Sequence, residues 1–105
     1  MAKVFTVNDI KNDISNVISQ YVGVNDEDTA VTQRILTYAF TFPGIPEMIT
    51  AGVLRVFENP ELAPKLAEEE VKSFRRGMSE TFHDERMIDA CTAVYCELIS
   101  DFCEV

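Results

Sequence analysis

Glu80-Thr81-Phe82-His83-Asp84 sets the chain's one histidine beside two carboxylates that could join it on a metal ion. Glu-x-x-His is the helical half of a carboxylate-bridged metal site, which needs a second such pair and two further glutamates. On a continuous helix Glu80, His83 and Asp84 share a face and form a partial ligand set. With one histidine in the chain, only a symmetric dimer could complete the site. A solvent-facing histidine near a helix start accounts for the same residues. The expectation is therefore no metal and no other cofactor.

Nucleophilic chemistry has weaker support. The thiols are Cys91, Cys96 and Cys103. Cys91 follows His83 by eight residues, about 12 Å along a helix axis, too far for a thiol–imidazole pair. Cys96 and Cys103 share a face but stand about 10 Å apart, beyond the ~7 Å reach of a disulfide. Cysteines in such positions act as small hydrophobes. There is no Gly-x-Ser-x-Gly, and four glycines offer little phosphate-cradling backbone. The chain reads as non-enzymatic.

Charge is more informative. Eighteen acids against nine bases give a formal charge of −9. That balance excludes direct nucleic-acid binding, which needs a basic footprint, and disfavours an anionic membrane surface. It suits a partner with a basic surface, or simple solubility. Lys72, Arg75, Arg76 and Arg86 concentrate four of the nine bases and could hold a small anion such as a nucleotide phosphate. Ion pairing is the plainer reading, since Arg76 precedes Glu80 by four residues and Glu68-Glu69-Glu70 lies close by. After Arg86 there are no bases, yet Asp89, Glu97, Asp101 and Glu104 follow. Acids in a last helical turn oppose the helix dipole. They therefore read as an acidic ridge offered to a basic partner.

These residues must be positioned by helices. Thr6-Val7-Asn8-Asp9 is a capping box. Val7, Ile10, Ile14, Val17 and Tyr21 then form a stripe on a helix over 7–22, ended by Gly23 as a left-handed terminator. Asn25 or Asp26 caps a helix over 27–41 with a stripe of Val31, Ile35, Tyr38 and Phe42, widened by Leu36, Ala39 and Phe40. Pro43-Gly44-Ile45-Pro46 breaks the chain, and Phe40, Phe42 and Ile45 make an apolar corner, either core or a partner surface. The helix over 46–57 is apolar on most of its circumference, which places it in the core or an interface. A fourth helix starts near Pro60 or Pro64 and runs to Arg76, with a break at Gly77. The fifth runs from Ser79 to Val105 with Met87, Cys91, Val94, Leu98 and Phe102 on one face, and the others are expected to pack against it.

The expected fold is all-α: one domain over 1–105, a compact bundle of about five helices with the C-terminal helix longest. No apolar run approaches the ~20 residues of a membrane span, and the start is too short and polar for a secretory signal, so the chain reads as cytoplasmic. Its expected function is that of a small acidic interaction protein that binds and modulates, by inhibition, another macromolecule. Such a domain suits a phage or mobile element acting in host cytoplasm. The rivals are a DNA-mimic inhibitor of a nucleic-acid-binding protein, a homo-oligomeric binder of a small anion, and a carboxylate–histidine metal protein. The apolar helix over 46–57 predicts a homodimer or larger assembly.

Overall fold

The computed structural model describes residues 6–103 and is all-helical within them. Five α-helices follow in order: α1 Val7–Gln20, α2 Asp26–Phe40, α3 Ile45–Phe57, α4 Ala63–Thr81 and α5 Glu85–Cys103, with a 3-10 turn at Pro60–Leu62 before α4. α5 packs against each of the other four. Its seven buried residues, Met87 to Ile99, supply one side of the core. It is not the longest helix: α4 has the same 19 residues and is extended by the 3-10 turn. Glu104 of the expected ridge, and the chain ends at 1–5 and 104–105, lie outside the described residues.

The helix starts follow local chemistry. Thr6 Oγ1 accepts the Asp9 N–H at 3.2 Å, and Asp9 Oδ2 accepts the Thr6 N–H at 2.9 Å, the capping box expected at the start of α1. Asn25 Oδ1 accepts the Asp28 N–H at 2.8 Å, ahead of three acids in the first turn of α2. Gly44, at φ +89°, makes the left-handed turn that lets α3 begin. α1 ends with Tyr21 in an extended conformation rather than at Gly23.

Two further boundaries and one face differ from expectation. α4 runs through Gly77, where a side chain would meet nothing, and the break comes at 82–84. Phe82 turns extended to pack its ring edge-on to Phe42, with centroids 5.3 Å apart. Asp84 then restarts the helix, its Oδ1 accepting the Arg86 N–H at 2.9 Å. On α2 the buried face is Thr32, Leu36, Ala39 and Phe40, whereas Val31 and Tyr38 of the expected stripe are 40% and 61% exposed. The apolar residues of α2 surround the helix, so periodicity selects no side, and packing against α1 and α5 decides. α3 buries Ile49, Val53 and Val56 completely against α1, α4 and α5, while Met48 and Ala51 on its outer side stay exposed.

Candidate functional site

The metal half-motif is dismantled by the break at 82–84. Glu80 belongs to the last turn of α4, His83 to the linker, and Asp84 to the cap of α5, so no common helix face holds them. Among the described residues no group of three or more His, Cys, Asp or Glu side chains could hold a metal ion.

The basic cluster is partnered from several directions. Lys72 pairs with Glu68 at 3.0 Å, Arg75 with Asp89 at 2.6 Å, and Arg86 with Asp28 on α2 at 3.3 Å. Arg76 has no ion pair with a described acid, so the expected pair with Glu80 does not form. The Arg75–Asp89 contact joins two expected sites to each other, drawing a base from the anion pocket and an acid from the ridge.

What remains of the ridge gains a member from α1. Glu97 and Asp101 are exposed on α5, and Asp13 faces them from α1. Burial pushes the Asp13 carboxyl up to about 6, helped by its hydrogen bond with Asp101 and by the negative charges of Asp101 and Glu97. Asp13 Oδ2 is buried and has no donor when both carboxyls are ionised, so the Asp13–Asp101 bond exists only when the pair holds a proton.

The thiols divide by depth. Cys91 is buried and its pKa is pushed up to about 12. Cys96 is exposed, while Cys103 is half-buried with its Sγ 3.5 Å from the Val53 carbonyl oxygen.

The apolar corner opens into a concavity. Phe40 is buried and Ile45 half-buried, both as part of the core, but Phe42 lies in the middle of an aromatic run. Its ring is edge-on to Tyr38 at 5.2 Å and to Phe82 at 5.3 Å. From there a groove of about 1030 Å³ runs between α1 and α2. Its apolar lining comes from Ile14, Ile18, Tyr38, Phe40, Phe42 and Pro46. Lys11 borders it from α1 and Arg34 from α2, with Glu47 at the start of α3. The groove follows residues 11–19 of α1 and 30–41 of α2, a length of about 12–16 Å from the helical rise. Gln33 fixes the register of the two walls, its Nε2 donating to the carbonyl oxygens of Tyr21 at 3.2 Å and Ser19 at 3.5 Å.

Sequence reasoning missed Lys11, Arg34 and Asp13 as site residues. Each is an ordinary charged position on an amphipathic helix, and only the pairing of helices gives it a neighbour. The exposure of Tyr38 carried a signal, because α2 has more large apolar residues than one face can bury. No protein-family model, no curated protein and no solved structure matches this chain.

Proposed function

We propose that this chain is a non-enzymatic interaction protein that binds and modulates another protein through the groove between α1 and α2, in the cytoplasm. The observation that carries the reading is the groove itself: an open, mainly apolar trough of about 1030 Å³ flanked by a 61%-exposed Tyr38 and by Phe42. Tyrosine and phenylalanine bring large contact area with few rotatable bonds, and aromatic anchors dominate the energetics of protein interfaces. Burying Tyr38 in a complex removes apolar surface from water that the free protein leaves exposed. An inhibitor made by a phage or mobile element would fit this description, acting by occupying its target.

The experiment is affinity capture with three baits: wild type, Tyr38→Ala/Phe42→Ala, and a charge change remote from the groove at Lys65. A partner held by wild type and by the Lys65 variant but released by the double variant supports the reading. Equal recovery on all three baits removes the groove from the function.

A second reading has its own support. Asp13, Glu97 and Asp101 form an acidic face between α1 and α5 with no base paired to any of them among the described residues. A cationic partner group there would relieve their mutual repulsion, as required of a surface for a basic partner or of a DNA mimic. Capture that survives the double groove variant but is lost on Glu97→Lys/Asp101→Lys favours it.

A further inference from the structure

Resting on the groove reading, we infer that the occupant of the α1–α2 groove is an amphipathic helix of a partner protein that carries an acidic residue on each flank of its apolar stripe, about two and a half turns apart. The chain is strongly acidic at −9, yet the rim of this groove carries two bases, Lys11 and Arg34, against one acid, Glu47. Of the described bases, Arg55, Lys72, Arg75 and Arg86 are engaged by acids. Lys11, Arg34, Lys65 and Arg76 are not, and two of these four line the groove. One stands on each wall, so an occupant meets a cation on both sides.

Register places the two cations along the groove. Gln33 of α2 lies beside Ser19 and Tyr21 of α1, which sets Arg34 level with the C-terminal end of α1. Lys11 is eight residues earlier on α1, so the two charges are offset by about 12 Å along the groove. Nine residues of an α-helix advance about 13.5 Å and turn through about 180°, which puts acids nine residues apart, on opposite flanks, within reach of Arg34 and Lys11. Between them an apolar stripe with spacing of three and four residues meets Ile14, Ile18, Tyr38 and Phe42. The groove length of about 12–16 Å accommodates two to three turns.

Other occupants fit this arrangement less well. A long-chain carboxylate has one headgroup and leaves one cation unanswered. A second copy of the chain seated groove to groove brings Lys11 and Arg34 of both copies together, like charge against like.

The test is selection from a displayed library of helical peptides on the full wild-type chain, with counter-selection on Tyr38→Ala. Enriched peptides are then measured by fluorescence anisotropy against wild type, Lys11→Glu/Arg34→Glu and Lys65→Glu. The expected result is enrichment of acids on both flanks about nine residues apart. Affinity should fall by about tenfold or more on the double reversal but not on Lys65→Glu, and it should weaken with added salt. Circular dichroism of each variant confirms that it folds. Basic flanks in the enriched peptides, or affinity unchanged on the double reversal, overturn this inference while leaving the groove reading standing. No enrichment over Tyr38→Ala overturns both. Oleate binding in place of peptides, or a wild-type dimer in light scattering that Tyr38→Ala dissociates, overturns the inference in favour of those occupants.

Discussion

The hydroxyl of Tyr95 on α5 stands where a side chain at residue 52 of α3 would project. A Cβ on Gly52 would collide with that oxygen and lie 3.3 Å from Tyr95 Cζ and 3.0 Å from Glu70 Oε2. The hydroxyl bonds Glu70 of α4, whose Oε1 accepts a hydrogen bond from Arg55 Nη1 at 2.7 Å. Glu70 also draws up the Arg55 pKa, while burial, with Glu70 next, raises that of the Tyr95 phenol. Tyr95 is 2% exposed and edge-on to Phe74, with centroids 4.7 Å apart. The absence of a side chain at 52 thus lets three helices share one polar contact at the edge of the apolar core.

Gly52→Ala should therefore destabilise the fold. Overpacking costs roughly 1–3 kcal/mol, and the gain in helix propensity returns only about 1 kcal/mol. Tyr95→Phe alone should cost about 1 kcal/mol through the lost hydrogen bond. Combined with Gly52→Ala it should cost less or nothing, because it also removes the colliding oxygen. Denaturant unfolding of wild type, the two single variants and the double variant closes a double-mutant cycle, and strict additivity would show that another atom takes the strain.

The Asp13 carboxyl gives a pH signature. Its pKa is about 6 in the fold against 3.8 in the unfolded chain, so the folded state binds more protons between those values. Its contribution is fully present below about 3.8 and is lost as pH rises through about 6. Asp13→Asn, whose amide donates to Asp101, should raise stability at pH 7.5 by about 1 kcal/mol after allowance for solvent screening. Relative to wild type the gain should shrink toward pH 4. Melting curves of both proteins from pH 4 to 8 decide it; a constant difference would mean that Asp13 does not titrate in this range.

Asp84 serves α5 as a cap, which separates it from His83. Asp84→Ala should cost about 1 kcal/mol, whereas His83→Ala should change stability by less than about 0.5 kcal/mol. Urea titrations with and without added zinc read both effects. Zinc stabilisation of wild type that His83→Ala abolishes would restore the metal reading.

The three thiols should react in order of depth. Cys96 is exposed, so iodoacetamide should label it first, slowed because its pKa is raised by burial and by Glu97. Cys103 should follow, and Cys91, buried with a pKa pushed up to about 12, should react only on unfolding. Peptide mass spectrometry over a time course gives the order, and early labelling of Cys91 would show that α5 opens locally.

The Arg75–Asp89 pair is close at 2.6 Å but 47% and 63% exposed. Such a pair contributes about 0–1 kcal/mol. Asp89→Ala should therefore move the denaturation midpoint little, and partner capture through the groove should be unaffected. A loss of capture on Asp89→Ala would return this residue to a binding surface.

Features under local control were legible in the residues alone. Thr6 with Asp9 and Asn25 with Asp28 started α1 and α2 as their types dictated, because a cap needs only backbone within three residues. The stripe of Met87, Cys91, Val94 and Leu98 named the buried face of α5, because those residues have no competing face. The remaining features depend on how the helices pack. On α2 apolar residues surround the helix, and neighbours chose to bury Leu36 and Phe40 while leaving Tyr38 in solvent. Gly77 permits a helix or a break, and the docking of Phe82 on Phe42 placed the break five residues later. Arg75 with Asp89, Arg86 with Asp28, and Asp13 with Asp101 join residues 14, 58 and 88 positions apart. Side-chain types reveal that such groups are charged, but their partners, and the groove that Lys11 and Arg34 border, exist only once the helices have packed.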